Sequence, residues 1–387
     1  MLMLTNFSMQ RPEYELRQER ALKWLVELHG VAERTLKGQS EVEQAAFAAH
    51  YAKLLDRCAC GPDRISKRGH VSQDLGSSTH AGLYDVRHFP HGQGSAARSR
   101  VFANVVNAYF EREFAAETRA PSELIHVTCT GYLSPSGAQR LVANKGWGAL
   151  THVTHAYHMG CYTALPAILI AAGQLAMRAA LRLPGGERRA DIVHTELCTL
   201  HLDPADHTPE QCVVQSLFAD GFMRYSLCES TDSEREPERG FELMAVSERI
   251  LPDTAESMAW SVGDFGMHMT LMRDVPERIA AALRPFVTEL LSKAGVGTAE
   301  ALRDAVVAVH PGGPKIIDRV CDVLELSPPQ VQASRDVLFE YGNMSSATLP
   351  HVWQRVLHDD RVPSGALVLS LAFGPGLTVC GGLFRKH

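Results

Sequence analysis

The sequence predicts an α/β protein with buried sheets, and three observations carry that prediction. Strand-like apolar runs alternate with helix-like segments along most of the chain. Several of the strands are continuously apolar rather than alternating, as expected of sheets covered on both faces. At 387 residues, with 45% hydrophobic and 21% charged residues, the chain is long enough for two core-bearing lobes.

Taken in order, residues 12–46 read as two helices, broken near Gly30 and Gly38. A basic cluster follows, Arg64-Ile65-Ser66-Lys67-Arg68. Residues 70–98, rich in Gly, His and Ser, read as loop, and residues 96–117 as helix. Leu124 to Thr130 is strand-like, with Gly131 and Pro135 as breakers. A helix is expected over 136–145 and a strand over 150–157. A buried helix is expected from Ala164 to about Ala180, and a further strand over 190–200. The charged, turn-rich stretch Glu229 to Gly240 reads as a seam, which divides the chain into residues 1–235 and 236–387. Beyond it come strands near 244–246 and 267–272, a helix over 276–294, a strand leading to His310, helices over 315–324 and 329–341, and a closing β pair.

Composition excludes several classes. A formal charge of −6 argues against a general nucleic-acid binder. The nine cysteines form no CxxC pair and read as reduced thiols of a cytoplasmic protein. His152, His155 and His158 would alternate in direction along a strand, so no metal site is expected. Residues 1–12 show no basic-then-apolar signal sequence. The most apolar run, residues 164–172, is too short for a membrane span.

The stretch Tyr157-His158-Met159-Gly160-Cys161-Tyr162-Thr163-Ala164 places a cysteine on a turn that opens a helix. Gly160 permits a tight turn, and the helix N-terminus favours a thiolate. His310 ends a strand-like run and meets Pro311-Gly312-Gly313-Pro314. Asn343 stands among small residues in Tyr341-Gly342-Asn343-Met344-Ser345-Ser346-Ala347. A Cys, a His and an Asn far apart in sequence are the parts of a thiol acyl-transfer site.

Together GCYTA, HPGGP and YGNMSSA resemble the type III polyketide synthases, the chalcone synthase-like family of the thiolase fold. Leu217-Phe218-Ala219-Asp220-Gly221 resembles that family's LFGDG segment, and Phe373-Gly374-Pro375-Gly376 its GFGPG loop. The resemblance implies two similar α/β halves in a layered αβαβα architecture. Cys161 is then acylated by a thioester, His310 pairs with it as an ion pair, and Asn343 and His310 hold the enolate formed when a malonyl thioester loses carbon dioxide. It further implies a homodimer with its interface at the region of Tyr132 to Pro135 and the approach to Cys161. Coenzyme A thioesters, acyl-CoA and malonyl-CoA, serve as substrates without any resident cofactor. Arg64, Lys67 and Arg68 are implied as phosphate contacts of coenzyme A. Phe218, Thr130, Gly312 and Gly374 are implied around the substrate, with Trp260, Met269 and His201 lining the elongation cavity. Trp260 stands where plant members carry a small residue, which implies a reshaped cavity. The product class implied is a pyrone, resorcinol or related polyketide. The alternatives are an acyltransferase or single-step ketosynthase joining units on an acyl carrier protein, and a catalytically idle partner protein of the same fold.

Overall fold

A computed structural model describes residues 1–79, 82–229 and 239–387. Its strands are β1 (Leu2–Gln10), β2 (Tyr14–Arg17), β3 (Lys67–His70), β4 (Pro121–Thr128), β5 (His152–Tyr157), β6 (Glu187–Leu197), β7 (Asp220–Glu229), β8 (Phe241–Ile250), β9 (Met258–Gly263), β10 (Gly266–Leu271), β11 (Val306–Val309), β12 (Leu367–Gly374) and β13 (Thr378–Lys386). The helices are α1 (Gln18–Lys37), α2 (Glu41–Cys58), α3 (Ser95–Glu113), α4 (Gly137–Asn144), α5 (Ala164–Leu181), α6 (Pro209–Leu217), α7 (Val275–Lys293), α8 (Thr298–Asp304), α9 (Pro314–Leu324), α10 (Gln332–Tyr341) and α11 (Thr348–His358).

Nine strands join in the order β11-β12-β13-β8-β1-β7-β6-β4-β5. The first half supplies β5-β4-β6-β7-β1, with β4 parallel to β5 and β6. The second half supplies β11-β12-β13-β8, with β11 parallel to β12. The strand β1 joins them. It pairs with β7 along most of its length but with β8 only at Met3 and Leu4.

Side-chain alternation along the strands builds three cores, because successive residues face opposite sides of a sheet. In β12, Leu369, Leu371 and Phe373 face an outer cluster with α7 and α9. Val368 and Ala372 face an inner cluster with α5 and α11. In β4, Leu124 joins the outer cluster over α1, α2 and α3, while Ile125 and Val127 turn inward. The layers therefore run α–β–α–β–α, as the sequence predicts.

Several expectations change. Residues 2–10 are a strand. Gly30 does not break α1. It sits where α1 crosses α2, and a Cβ there would stand 3.5 Å from Ala48, whereas Gly38 (φ 63°) does end the helix. By length and composition α5 could cross a membrane, contrary to the reading that its apolar run is too short. It packs instead between the two half-sheets, with Leu165, Ala167, Ile168 and Ala171 fully buried. The expected seam at Glu229 to Gly240 falls mostly on residues 230–238, outside the described residues.

Burial also sets an acid limit on stability. His29, His126, His194 and His310 are fully enclosed, and desolvation pushes each ring down to about 3. Unfolded histidine titrates near ~6.5, so their contribution is complete above that pH and is lost as pH falls toward 3. Glu196 and Asp220, pushed by burial up to about 7, act the other way. They favour the folded state in acid and lose that contribution as pH rises through 7. The histidines outnumber them, so the melting temperature should drop between pH 7 and pH 5. A constant or rising value across that interval would contradict this.

Candidate active site

Parallel strands deliver side chains to one end of a sheet, and here both halves aim at the same place. Cys129 and Thr130 follow β4, Cys161 follows β5, and Leu197 and Cys198 stand at the end of β6. From the other half, His310 follows β11 and Pro375 follows β12. The two sets touch at Gly160. Its φ of 97° suits glycine, and a Cβ there would lie 2.3 Å from Pro375 Cδ.

The nucleophile turn is held from several sides. The Gly160 N–H donates to Cys129 Sγ (3.0 Å). His158, in the left-handed region at φ 60°, donates its N–H to Thr128 O and sets Nε2 2.7 Å from Trp260 O. The Cys161 thiol itself meets Ser345 Oγ at 3.6 Å and is 8% exposed. Ser345 is the other non-glycine residue of this site with positive φ (49°), its N–H bound to Asn343 Oδ1 (2.9 Å). Such backbone strain at two residues flanking one thiol marks a built site.

A small, partly open cavity of ≈20 Å³ lies against Cys161. Phe218, Thr130, Trp260 and Met269 line it, together with Cys129, Cys198, Met258 and Ser345. His201 does not. Its Nε2 bonds Thr130 O (2.9 Å), Nδ1 takes the Met267 N–H (3.2 Å), and the ring braces Trp260 edge-on at 5.8 Å. Gly312 neighbours the His310 ring, and Gly374 lies under Tyr162, where a Cβ would come within 2.1 Å of the aromatic ring.

Asn343 is set by a two-way backbone pairing that brackets Phe218. Its N–H donates to Leu217 O, and its carbonyl accepts from the Ala219 N–H. Its side-chain Oδ1 accepts from Ser345 N–H and Thr348 Oγ1 (3.3 Å). That leaves the amide hydrogens of Nδ2 as the group on offer. His310 is 1% exposed, and neither ring nitrogen has a hydrogen-bond partner among the described residues.

Burial weighs against two electrostatic expectations. The helix N-terminus does not make Cys161 a thiolate, because burial pushes the thiol up to about 12. Burial likewise pushes the His310 ring down to about 3, against its standing charged at rest. Removing both groups from water outweighs the helix dipole.

The basic cluster divides as well. Arg64 is half-exposed beside Asp63, and Lys67 is ion-paired to Glu15 at 2.6 Å. Arg68 is buried and cannot greet a phosphate as placed. Its Nε donates to Gln18 Oε1 (2.8 Å), and its Nη1 donates to Gln215 O (2.8 Å) and Phe218 O (2.6 Å). It therefore fixes the segment that carries Phe218 and pairs with Asn343.

Sequence reasoning assigned Glu196 no role at the site and gave none to Ser345. Glu196 is fully buried and accepts from Cys129 N–H (2.9 Å), Thr130 Oγ1 (3.1 Å) and Ser346 Oγ. The available signal was positional, since Cys129, Glu196 and Cys198 lie at or beside the ends of strands parallel to the one that presents Cys161. Among the described residues no group of side chains could hold a metal ion.

The profile of the chalcone and stilbene synthase C-terminal domain matches residues 242–386. The chain is 30% identical over 280 residues to type III polyketide synthase C of Arabidopsis thaliana, covering 71% of this chain and 70% of that protein. It is 30% identical over 268 residues, 69% of this chain, to probable polyketide synthase 1 of Dictyostelium discoideum, but spans only 8% of that much longer protein. In fold it is similar to the C-terminal type III polyketide synthase domain of Steely1, a type I/III hybrid from Dictyostelium. The TM-score is 0.80 at 22% identity, over 100% of this chain and 99% of that one.

The two arginines separate in a test. Arg68→Gln removes three hydrogen bonds from a buried cation, each worth about 1.5–3 kcal/mol, and should lower the melting temperature markedly. Arg64→Ala should leave the melting temperature unchanged. Arg68→Gln with a parental melting temperature would contradict the structural role.

Proposed function

The chain belongs to the type III polyketide synthase family, and we propose that it loads an acyl thioester on Cys161 and extends it by decarboxylative condensation with malonyl-CoA. The family makes it an acyltransferase-type condensing enzyme. The observation that supports the specific reading is a thiol on a cavity walled by both halves, with Ser345 standing between Cys161 and the oriented carboxamide of Asn343, and a buried imidazole, His310, whose ring nitrogens have no partner among the described residues.

In the proposed cycle the Cys161 proton passes to His310 as sulfur attacks the acyl carbonyl. The coenzyme A thiolate leaves and takes that proton. A malonyl thioester follows and loses carbon dioxide. Asn343 Nδ2–H and a His310 ring N–H donate to the enolate oxygen. The enolate carbon attacks the acyl-Cys161 carbonyl, the C–S bond breaks, and the Cys161 thiolate is released with a product two carbons longer. In a dry pocket such donors count for more than in water. Arg64 and Lys67 are the candidates for the coenzyme A phosphates, since Arg68 is committed inward. The product class is a pyrone, a resorcinol or a related polyketide, formed in the cytoplasm. No resident cofactor enters the cycle.

A homodimer is part of the proposal. The strand β5 is one edge of the sheet, and unpaired edges invite pairing. Beside it α5 exposes Leu169, Met177 and Leu181, and Gln174 of α5 bonds Thr154 of β5 (2.7 Å). Tyr132, near the expected interface, is also exposed. Light scattering should return twice the 42.4 kDa chain mass. A monomer at micromolar protein would count against it.

Cys161→Ala should abolish acyl loading and product formation. Asn343→Asp puts a carboxylate where a donor should meet a developing negative charge. It should lower carbon dioxide release from labelled malonyl-CoA by at least ~100-fold while Cys161 still accepts an acyl group. Release at the parental rate would sink the decarboxylative mechanism and favour simple acyl transfer.

A further inference from the structure

The cavity against Cys161 has room for about one or two water molecules, each needing roughly 10–15 Å³ by this measure. No charged side chain lines it. Its outer wall comes from a hairpin that stands apart from the main sheet, β9 and β10, which contributes Met258, Trp260 and Met269.

The wall has one rigid member and two soft ones. Trp260 Nε1–H donates to Cys129 O (2.7 Å), and Trp260 O accepts from His158 Nε2–H (2.7 Å). His201 backs the indole and is itself in a fixed tautomer, with Nε2–H on Thr130 O and Nδ1 accepting from Met267 N–H. Swinging the indole aside would break a hydrogen bond to a buried carbonyl, which is costly when no replacement donor is near. Methionines re-pack readily, so Met258 and Met269 can yield room for a few atoms but not for a long chain.

We infer that the acyl group accepted on Cys161 is short, two to four carbons, and that Trp260 is the residue that sets this limit. The inference rests on the reading that Cys161 is acylated. An acetyl or butyryl group fits by displacing water and shifting the methionines. An octanoyl chain meets the indole.

The experiment incubates the purified full chain with acetyl-, butyryl-, octanoyl- or lauroyl-CoA and follows acyl-enzyme formation by intact mass. Acetyl or butyryl transfer should exceed octanoyl transfer by at least ~100-fold, since each poorly accommodated methylene in an apolar pocket costs about tenfold or more. Trp260→Gly should reduce that ratio by at least ~10-fold, and Met269→Ala should reduce it less. Trp260→Phe, which keeps a ring in place, should retain a preference for short chains. Octanoyl or lauroyl loading within ~10-fold of acetyl on the parent chain, or an unchanged ratio in Trp260→Gly and Met269→Ala alike, overturns the inference. Absence of acylation by every thioester instead overturns the proposed function and this inference with it.

Discussion

The Glu196 carboxyl is fully enclosed and touches both halves of the molecule. From its own half it receives Cys129 N–H and Thr130 Oγ1, and from the other half Ser346 Oγ. Behind Ser346 stands His194 Nδ1 (3.0 Å), and behind that Tyr225 Oη, which also reaches Ala164 O at the start of α5. This buried polar chain spans the seam and surrounds the nucleophile turn on three sides. Cys129 takes the Gly160 N–H, Ser345 sits beside the thiol, and α5 begins at Ala164. Burial raises Glu196 to about 7, so its charge is marginal at neutral pH. Fully partnered networks of this kind fix one arrangement because leaving any member unpaired is expensive.

The same burial governs the chemistry. With the Cys161 thiol pushed up and the His310 imidazole pushed down, both groups rest neutral. A charge pair in such a place is favourable only when close and well hydrogen-bonded. The proposed cycle therefore creates charge during the reaction, on groups already held in position. Asn343 suits this environment because it is neutral throughout, and its acceptor end is already occupied by Ser345 and Thr348.

Much of this was legible in the sequence because local chemistry and global architecture agree. The runs at 124–130, 190–200 and 305–309 read as strands, and they hold most of β4, most of β6 and all of β11. The glycine before Cys161 and the turn after His310 are what the site uses. Asn343 was legible because small residues surround it in a turn. Other features depend on contacts between distant segments. Residues 2–10 look unremarkable alone, and only pairing with β7 and β8 makes them a strand. Arg68 reads as a surface cation in its basic run, yet Gln18, Gln215 and Phe218, from 50 to 150 residues away, draw it inward. His201 reads as a cavity residue by position but spends both ring nitrogens on backbone. The thiol's neutrality was not legible either, since a helix N-terminus is visible in sequence and the degree of desolvation is not.

Three thiols, Cys129, Cys161 and Cys198, line one cavity. Only the one on the nucleophile turn is expected to carry the acyl group, because Cys129 Sγ is engaged by the Gly160 N–H and Cys161 alone of the three stands on the turn that opens α5, beside Ser345 Oγ. Peptide mapping of the protein quenched after incubation with acetyl-CoA tests this directly. A single acetyl group is expected on the peptide containing Cys161 and none on the other two. Acetyl on Cys129 or Cys198 at comparable occupancy would contradict it.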